Sequence, residues 1–336
     1  MKMTRRELLP MISSLVSYGV FANIQEVIKT RRISNRNKLP AGVLTAVLTP
    51  LNKKLNADNA ELINHINWLL KRGNDGIGLL GSTGEANSFS VDERLQILEG
   101  VLDGGIPSNK LLIGTGCCAI TDTATLTRHA HLHGVGGILL LPPFYYKKIN
   151  DLGLESYVDD LLNRVGENDV EIYLYHFPQL SGVSFSLKLV ERLVSKYPKN
   201  IIGMKDSGGD WTHMETILKE IPNFRLYTGN EKFLLPLLES GGQGCISGNA
   251  NFTSPEIAAV YNAWKKAGGE KEQVRVTQLR DVFDTYPAIG TLKYLYAKWS
   301  GNADWLNVRP PNVILTSEEG LIIEQKLQEI NYSNPF

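Results

Sequence analysis

Between Leu39 and residue 268 the chain repeats one pattern: a short run of Val, Ile and Leu, then a longer stretch with helical spacing of apolar residues. The short runs are Val43–Thr49, Ile77–Leu80, Leu111–Gly114, Ile138–Leu141, Ile172–Tyr175, Ile201–Lys205, Arg225–Thr228 and Gly244–Ser247. The helical stretches fall near 58–72, 91–103, 121–133, 153–164, 187–197, 211–220, 231–240 and 254–267. Several runs are apolar at consecutive positions, as required when both faces of a parallel sheet are covered. Eight such units in about 230 residues match the size of a (β/α)8 barrel. A doubly wound open sheet is the competing arrangement. It calls for a Gly-rich phosphate turn after the first strand, where this chain has Leu48 to Lys54, LTPLNKK. The expectation is therefore an α/β protein: a (β/α)8 TIM barrel over 39–268, with additional C-terminal helices in 269–336, clearest at Ala288–Trp299 and Ser317–Ile330.

Composition narrows the partners. Lys+Arg and Asp+Glu are equal at 35 each, so no global field favours nucleic acid or an anionic membrane. No apolar run reaches the 18 or so residues that span a bilayer. Three cysteines, two of them adjacent at Cys117 and Cys118, make no disulfide framework. The charge is uneven, however: residues 1–38 hold eight Lys/Arg against Glu7 and Glu26, leaving +6 there and −6 in the remainder. Thr4 to Leu9, TRRELL, followed by a modestly apolar stretch ending near Ala22, resembles a twin-arginine export signal. The competing reading is a basic, partly helical N-terminal extension, or a start codon assigned too early. A cytoplasmic protein is expected, with periplasmic export as the alternative.

A barrel places its chemistry at the C-terminal ends of its strands. Those positions hold GSTGE (Gly81 to Glu85), PPFYY (Pro142 to Tyr146), Tyr175, Lys205, the stretch Gly229 to Glu231, and SGNAN (Ser247 to Asn251). Lys205 closes an otherwise apolar strand. Desolvation disfavours a buried ammonium and frees the amine to attack carbonyls. The competing reading is a rim ion pair with Asp206 or Glu231. Tyr175, ending the neighbouring strand, offers a phenol for proton transfer, or is an aromatic cap on the core. Ser82 and Thr83, in a Gly-flanked turn, offer hydroxyls and N–H groups to a carboxylate.

Taken in order, GSTGE, the tyrosine after PPF, Tyr175 and Lys205 resemble the dihydrodipicolinate synthase / N-acetylneuraminate lyase family over roughly residues 40–330. The resemblance implies a (β/α)8 barrel, usually a homotetramer, in which Lys205 forms an imine with pyruvate or another 2-oxo acid. It also implies that Tyr175 transfers protons and that Thr83 links it to Tyr145, a residue supplied in the synthases by a neighbouring subunit. Ser82 and Thr83 would hold the substrate carboxylate, with Leu180, Ser207, Glu231 and Gly248 at further substrate-binding positions. No metal or organic cofactor is implied, because the imine itself is the electron sink.

Departures from the family pattern narrow the reaction. The synthases carry an arginine for the far carboxylate of their aldehyde where this chain has Leu180, and leucine makes no bidentate contact. Of the lyase's polyol-binding positions, two acidic residues appear as Glu231 and Lys232, and a serine as Gly248. The expected activity is a Schiff-base lyase or aldolase on a 2-oxo acid, such as a 2-keto-3-deoxy sugar acid. The alternatives are 4-hydroxy-tetrahydrodipicolinate synthase, a dehydratase or deaminase of the same family, or a non-catalytic barrel that binds a 2-oxo acid. His129, His131 and His133 do not converge on one metal, because His131 leaves the helix face shared by the other two.

Overall fold

A computed structural model describes residues 39–167 and 169–336. The basic segment 1–38, with its resemblance to an export signal, lies outside the described residues. Eight parallel strands close into a barrel in sequence order: β1 (Gly42–Ala46), β2 (Gly76–Leu79), β3 (Leu111–Gly114), β4 (Gly137–Leu140), β5 (Ile172–His176), β6 (Ile201–Asp206), β7 (Arg225–Thr228) and β8 (Gly244–Ser247). Closure is made by β8 against β1, in register from Gly42↔Gly244 to Thr45↔Ser247.

Each strand is followed by helix: α1 (Asn59–Lys71), α2 (Val91–Asp103), α3 (Ile120–Leu132), α4 (Asp151–Val165), the one-turn α5 (Pro178–Ser181) with α6 (Leu187–Lys196), α7 (Trp211–Glu220), α8 (Leu234–Glu239) and α9 (Ala250–Trp264). Then come α10 (Glu270–Phe283), α11 (Ala288–Ser300) and α12 (Ser317–Glu329). The starts are written in the sequence. Ser90 with Glu93 and Thr316 with Glu319 each form a reciprocal cap at the heads of α2 and α12. Among the described residues, no helix is long and apolar enough to cross a membrane.

Alternation along the strands sorts side chains into two cores. Leu44, Leu112, Leu139, Tyr173, Tyr175, Tyr227 and Ile246 fill the barrel interior. Residues one step along, such as Met204 and Leu174, pack outward against the helices. Gly203 is required by this filling, because a Cβ there would sit 2.6 Å from the ring of Tyr173. The C-terminal helices form a further core of Leu279, Phe283, Leu292, Tyr296, Trp305 and Leu327, which Phe252 of α9 and Leu48 join.

Several boundaries shift from the sequence expectation, the helix expected at 254–267 running over Ala250–Trp264, and two of the shifts have local causes. β1 ends at Ala46, yet Val47 to Leu51 stay buried, because Leu48 N–H donates to Asn251 Oδ1 (3.2 Å) and the Thr49 hydroxyl to Gly84 O (2.8 Å). Past Val47, whose N–H still donates to Gly78 O of β2 (3.0 Å), burial without ladder hydrogen bonds looks like strand in a sequence. The helix expected at 231–240 opens as a 3-10 turn, Glu231–Phe233, before α8.

His65 of α1 shows how a polar residue is held in this packing. It is 1% exposed, bonds Asn251 Oδ1 through Nε2 at 2.8 Å, and lies edge-on to Tyr296 and Trp305. Burial pushes its pKa down to about 4, against a smaller opposing effect of the Asn251 bond. The unfolded chain therefore binds a proton between about pH 6.5 and 4 that the folded chain refuses, and stability falls as pH falls through that window. His65→Gln is expected to remove this part of the acid sensitivity, worth about 3 kcal/mol by pH 4. Thermal melts of both proteins from pH 7 to pH 4 check it; parallel curves would refute the assignment.

Candidate active site

Strands β5 and β6 end side by side, with Tyr175 paired to Lys205 and His176 to Asp206. Alternation turns the first pair into the barrel mouth and the second out toward the helices. Lys205 is 5% exposed. Its Nζ lies 3.3 Å from the Tyr175 hydroxyl oxygen and 4.4 Å from the centre of that ring.

The carboxylates that might pair with Lys205 are engaged elsewhere. Asp206 points away, accepting from His213 Nδ1 (2.6 Å) and Gly208 N–H (2.7 Å). Glu231 is fully buried between Arg280 of α10 (2.8 Å) and the Ser247 hydroxyl. Burial opposes the charge of Arg280, but Glu231 and Asp284 outweigh it and hold the guanidinium charged. Among the described residues, no carboxylate forms an ion pair with Lys205. The rim ion pair left open by the sequence is not formed. What remains is a buried amine beside a phenol.

The GSTGE turn follows β2 and faces this pair. Gly84 is dictated by close approach, since a Cβ there would meet Val47 O at 2.9 Å. Glu85 follows in the left-handed region, φ 57°, and its carboxylate leaves the mouth to meet Lys293 of α11, Arg309 N–H (3.1 Å) and Asn312 Nδ2 (3.3 Å). Ser82 lines a narrow cavity together with Tyr175 and the buried Arg94. Thr83 lies against Gly248 at the end of β8, where an added Cβ would sit 2.9 Å from the threonine hydroxyl. Ser207 sits against Gly229 at the end of β7, where a Cβ would clash with its hydroxyl. The barrel thus brings the ends of four strands, β2, β5, β6 and β8, together, carrying Ser82, Thr83, Tyr175, Lys205, Ser207 and Gly248.

Two expected site residues stand apart within this chain. Tyr145 is 75% exposed, with its backbone N–H on Cys118 Sγ (3.3 Å) and its ring edge-on to Tyr146. Leu180 is 54% exposed on α5. The two segments are tied together by Lys147, whose ammonium donates to Ser181 O at 2.9 Å. Lys232 pairs with Asp281 of α10 on the surface. The histidines at the C-terminal end of α3 divide as expected: His129 and His133, the residue that caps the helix, approach Glu99, whereas His131 pairs with Asp169.

Residues 39–330 match the sequence profile of the Dihydrodipicolinate synthetase family. The chain belongs to this family. A relative named "Uncharacterized DapA-like lyase", from Chloroflexus aurantiacus, is 31% identical over 282 residues, covering 83% of this chain and 93% of the relative. The crystal structure of dihydrodipicolinate synthase from Agrobacterium tumefaciens superposes with a TM-score of 0.80 at 30% identity, over 86% of this chain and 99% of that one. That of YagE from E. coli, a family member in complex with pyruvate, gives 0.79 at 25% identity, over 87% and 99%. Family membership makes this protein a lyase of the class I aldolase type.

Sequence reasoning missed the brace under the GSTGE turn, formed by Glu85, Lys293 and Arg309. A signal existed. Lys293 interrupts the apolar stretch of Ala288–Trp299 on the face shared with Leu292 and Tyr296, and a lysine on such a stripe needs a buried partner.

Proposed function

We propose that this lyase cleaves a 2-keto-3-deoxy acid to pyruvate and an aldehyde, or joins the two, through an imine on Lys205. The observation that carries the reading is the buried Lys205 amine, whose partner in the fold is the Tyr175 phenol rather than a carboxylate. The amine adds to the keto carbon, and the Tyr175 hydroxyl protonates the carbinolamine oxygen, which leaves as water. In the protonated imine the C3–C4 bond breaks. Its electron pair becomes the C2=C3 bond of an enamine while the imine π pair moves onto nitrogen, and the C4 hydroxyl proton passes to Tyr175 as the aldehyde departs. Protonation at C3 and hydrolysis then release pyruvate and regenerate the amine.

In this reading Ser82 and Thr83 hold the carboxylate next to the keto group, and Ser207, beside Gly229, faces the substrate's far end. Glu231 is held by Arg280 and Ser247, so it shapes the wall rather than meeting substrate. Tyr145, exposed on this chain, completes the proton relay of a neighbouring copy in a homotetramer. Leu180 disfavours an aldehyde with a second carboxylate, and with it lysine-pathway synthase activity. No cofactor is needed for these steps.

The test is borohydride reduction in the presence of pyruvate, followed by peptide mass spectrometry. A secondary-amine adduct on Lys205 is expected, with pyruvate release from at least one of a panel of 2-keto-3-deoxy acids. An adduct on another lysine, or none with any 2-oxo acid, overturns the reading.

A further inference from the structure

Directly behind Tyr175 and Lys205 lies a cluster that the steps above do not use: His176, Asp206 and His213. Its members follow the two reacting residues on β5 and β6, and His213 comes from α7 outside the barrel. Hydrogen bonding assigns their protonation. His213 presents Nδ1 to Asp206 Oδ2 at 2.6 Å and Nε2 to Phe185 O at 3.2 Å. A carboxylate and a carbonyl both only accept, so both ring nitrogens carry protons and the ring is an imidazolium. His176 is the reverse. Its Nδ1 receives the Phe185 N–H at 3.2 Å, so that nitrogen bears a lone pair and the ring is neutral. The rings stack 4.3 Å apart at 18°, a charged face on a neutral one.

We infer that His213 is a positioning residue for the Lys205 chemistry: its imidazolium neutralises Asp206, the neighbour of Lys205 on β6, so that no bare carboxylate holds the Lys205 amine in its protonated, non-nucleophilic form. The inference rests on the imine reading of Lys205. Asp206 is 1% exposed, and a buried carboxylate without a counter-charge acts over a longer range than one in water. The charged and titratable groups facing His213 are Asp206 from β6, His176 from β5 and Asp210 at the head of its own helix; the loop before α6 offers the Phe185 carbonyl. Burial opposes the charge on His213, but the bond and charge of Asp206 outweigh it and raise its pKa. Burial holds His176 down at about 4. The contribution of His213 is therefore lost as pH rises through its raised value.

The experiment measures the rate of pyruvate trapping on Lys205 by cyanoborohydride as a function of pH, in the full chain. In His213→Gln the side chain can still bond Asp206 but brings no charge. The midpoint of the pH–rate profile is expected to rise by about one pH unit. In the double variant His213→Gln/Asp206→Asn the carboxylate is gone as well, and the midpoint is expected to return to that of the natural protein. Where His213→Gln does not fold, Asp206→Asn alone serves: its midpoint stays in place or falls, and a rise there overturns the inference. A uniform loss of rate in His213→Gln without a moved midpoint, or a double variant that does not recover, also overturns it and leaves His213 as a packing residue. Absence of trapping in the natural protein with every 2-oxo acid removes the imine reading and this inference together, an outcome distinct from trapping with unmoved midpoints.

Discussion

Lys205→Ala is expected to abolish pyruvate trapping and to lower kcat by at least about a thousand-fold, the scale on which loss of a covalent nucleophile registers. The same substitution is expected to leave the melting temperature within about 3 °C of the natural protein, or to raise it. The two halves belong together. An amine that is 5% exposed and has, among the described residues, only the neutral Tyr175 phenol and its ring for partners is poorly compensated for leaving water, so removing it relieves the fold even as it forfeits the packing of its stem. Had Lys205 been half of a rim ion pair, alanine would strand a buried carboxylate and cost several kcal/mol. Calorimetry beside a trapping assay separates the two cases. A large drop in melting temperature with residual turnover would contradict the nucleophile assignment.

The contrast also explains what the sequence could and could not say. The barrel was legible because eight apolar runs with helical intervals admit few topologies, and because both-face burial leaves strands apolar at consecutive positions. The juxtaposition of Lys205 and Tyr175 at the barrel mouth was legible because each ends such a run on neighbouring strands. The partners of Lys205 were harder. Asp206 stood next to it in sequence and looked like a counter-ion, yet period-two alternation turns neighbouring side chains to opposite faces of a strand. Applied to Asp206, that rule alone sends its carboxylate outward to His213. Glu231 resisted for another reason: its partner Arg280 lies on α10, 49 residues further on. No local pattern marks such a contact. Arg309 likewise reaches back over more than two hundred residues to Glu93, Ser88 and Leu55.

Tyr145 illustrates a different limit. This chain leaves it 75% exposed, edge-on to Tyr146, so neither a local pattern nor the packing of the chain marks what it does.

The long-range brace carries the second large effect. Lys293 is fully buried in α11, donates to Glu85 and to Asn307 O (2.9 Å), and has its pKa lowered by burial despite the opposing pull of Glu85. Lys293→Met fills similar volume but leaves the Glu85 carboxylate buried with only two neutral donors, Arg309 N–H and Asn312 Nδ2. Breaking one side of such a pair costs about 3–5 kcal/mol, which corresponds to a fall in melting temperature of roughly 10 °C. The damage is directional, because Glu85 ends the turn that carries Ser82 and Thr83. KM for the 2-oxo acid is expected to rise about tenfold, with a smaller change in kcat, since Lys205 and Tyr175 stand on strands the brace does not touch. Glu85→Gln/Lys293→Met removes both charges and is expected to recover at least half of the lost stability, because an apolar and amide pair needs no counter-charge. If instead the single variant melts like the natural protein, the pair is offset by its own desolvation. The turn would then be held by Gly84 and Thr49 alone, and KM would stay where it was.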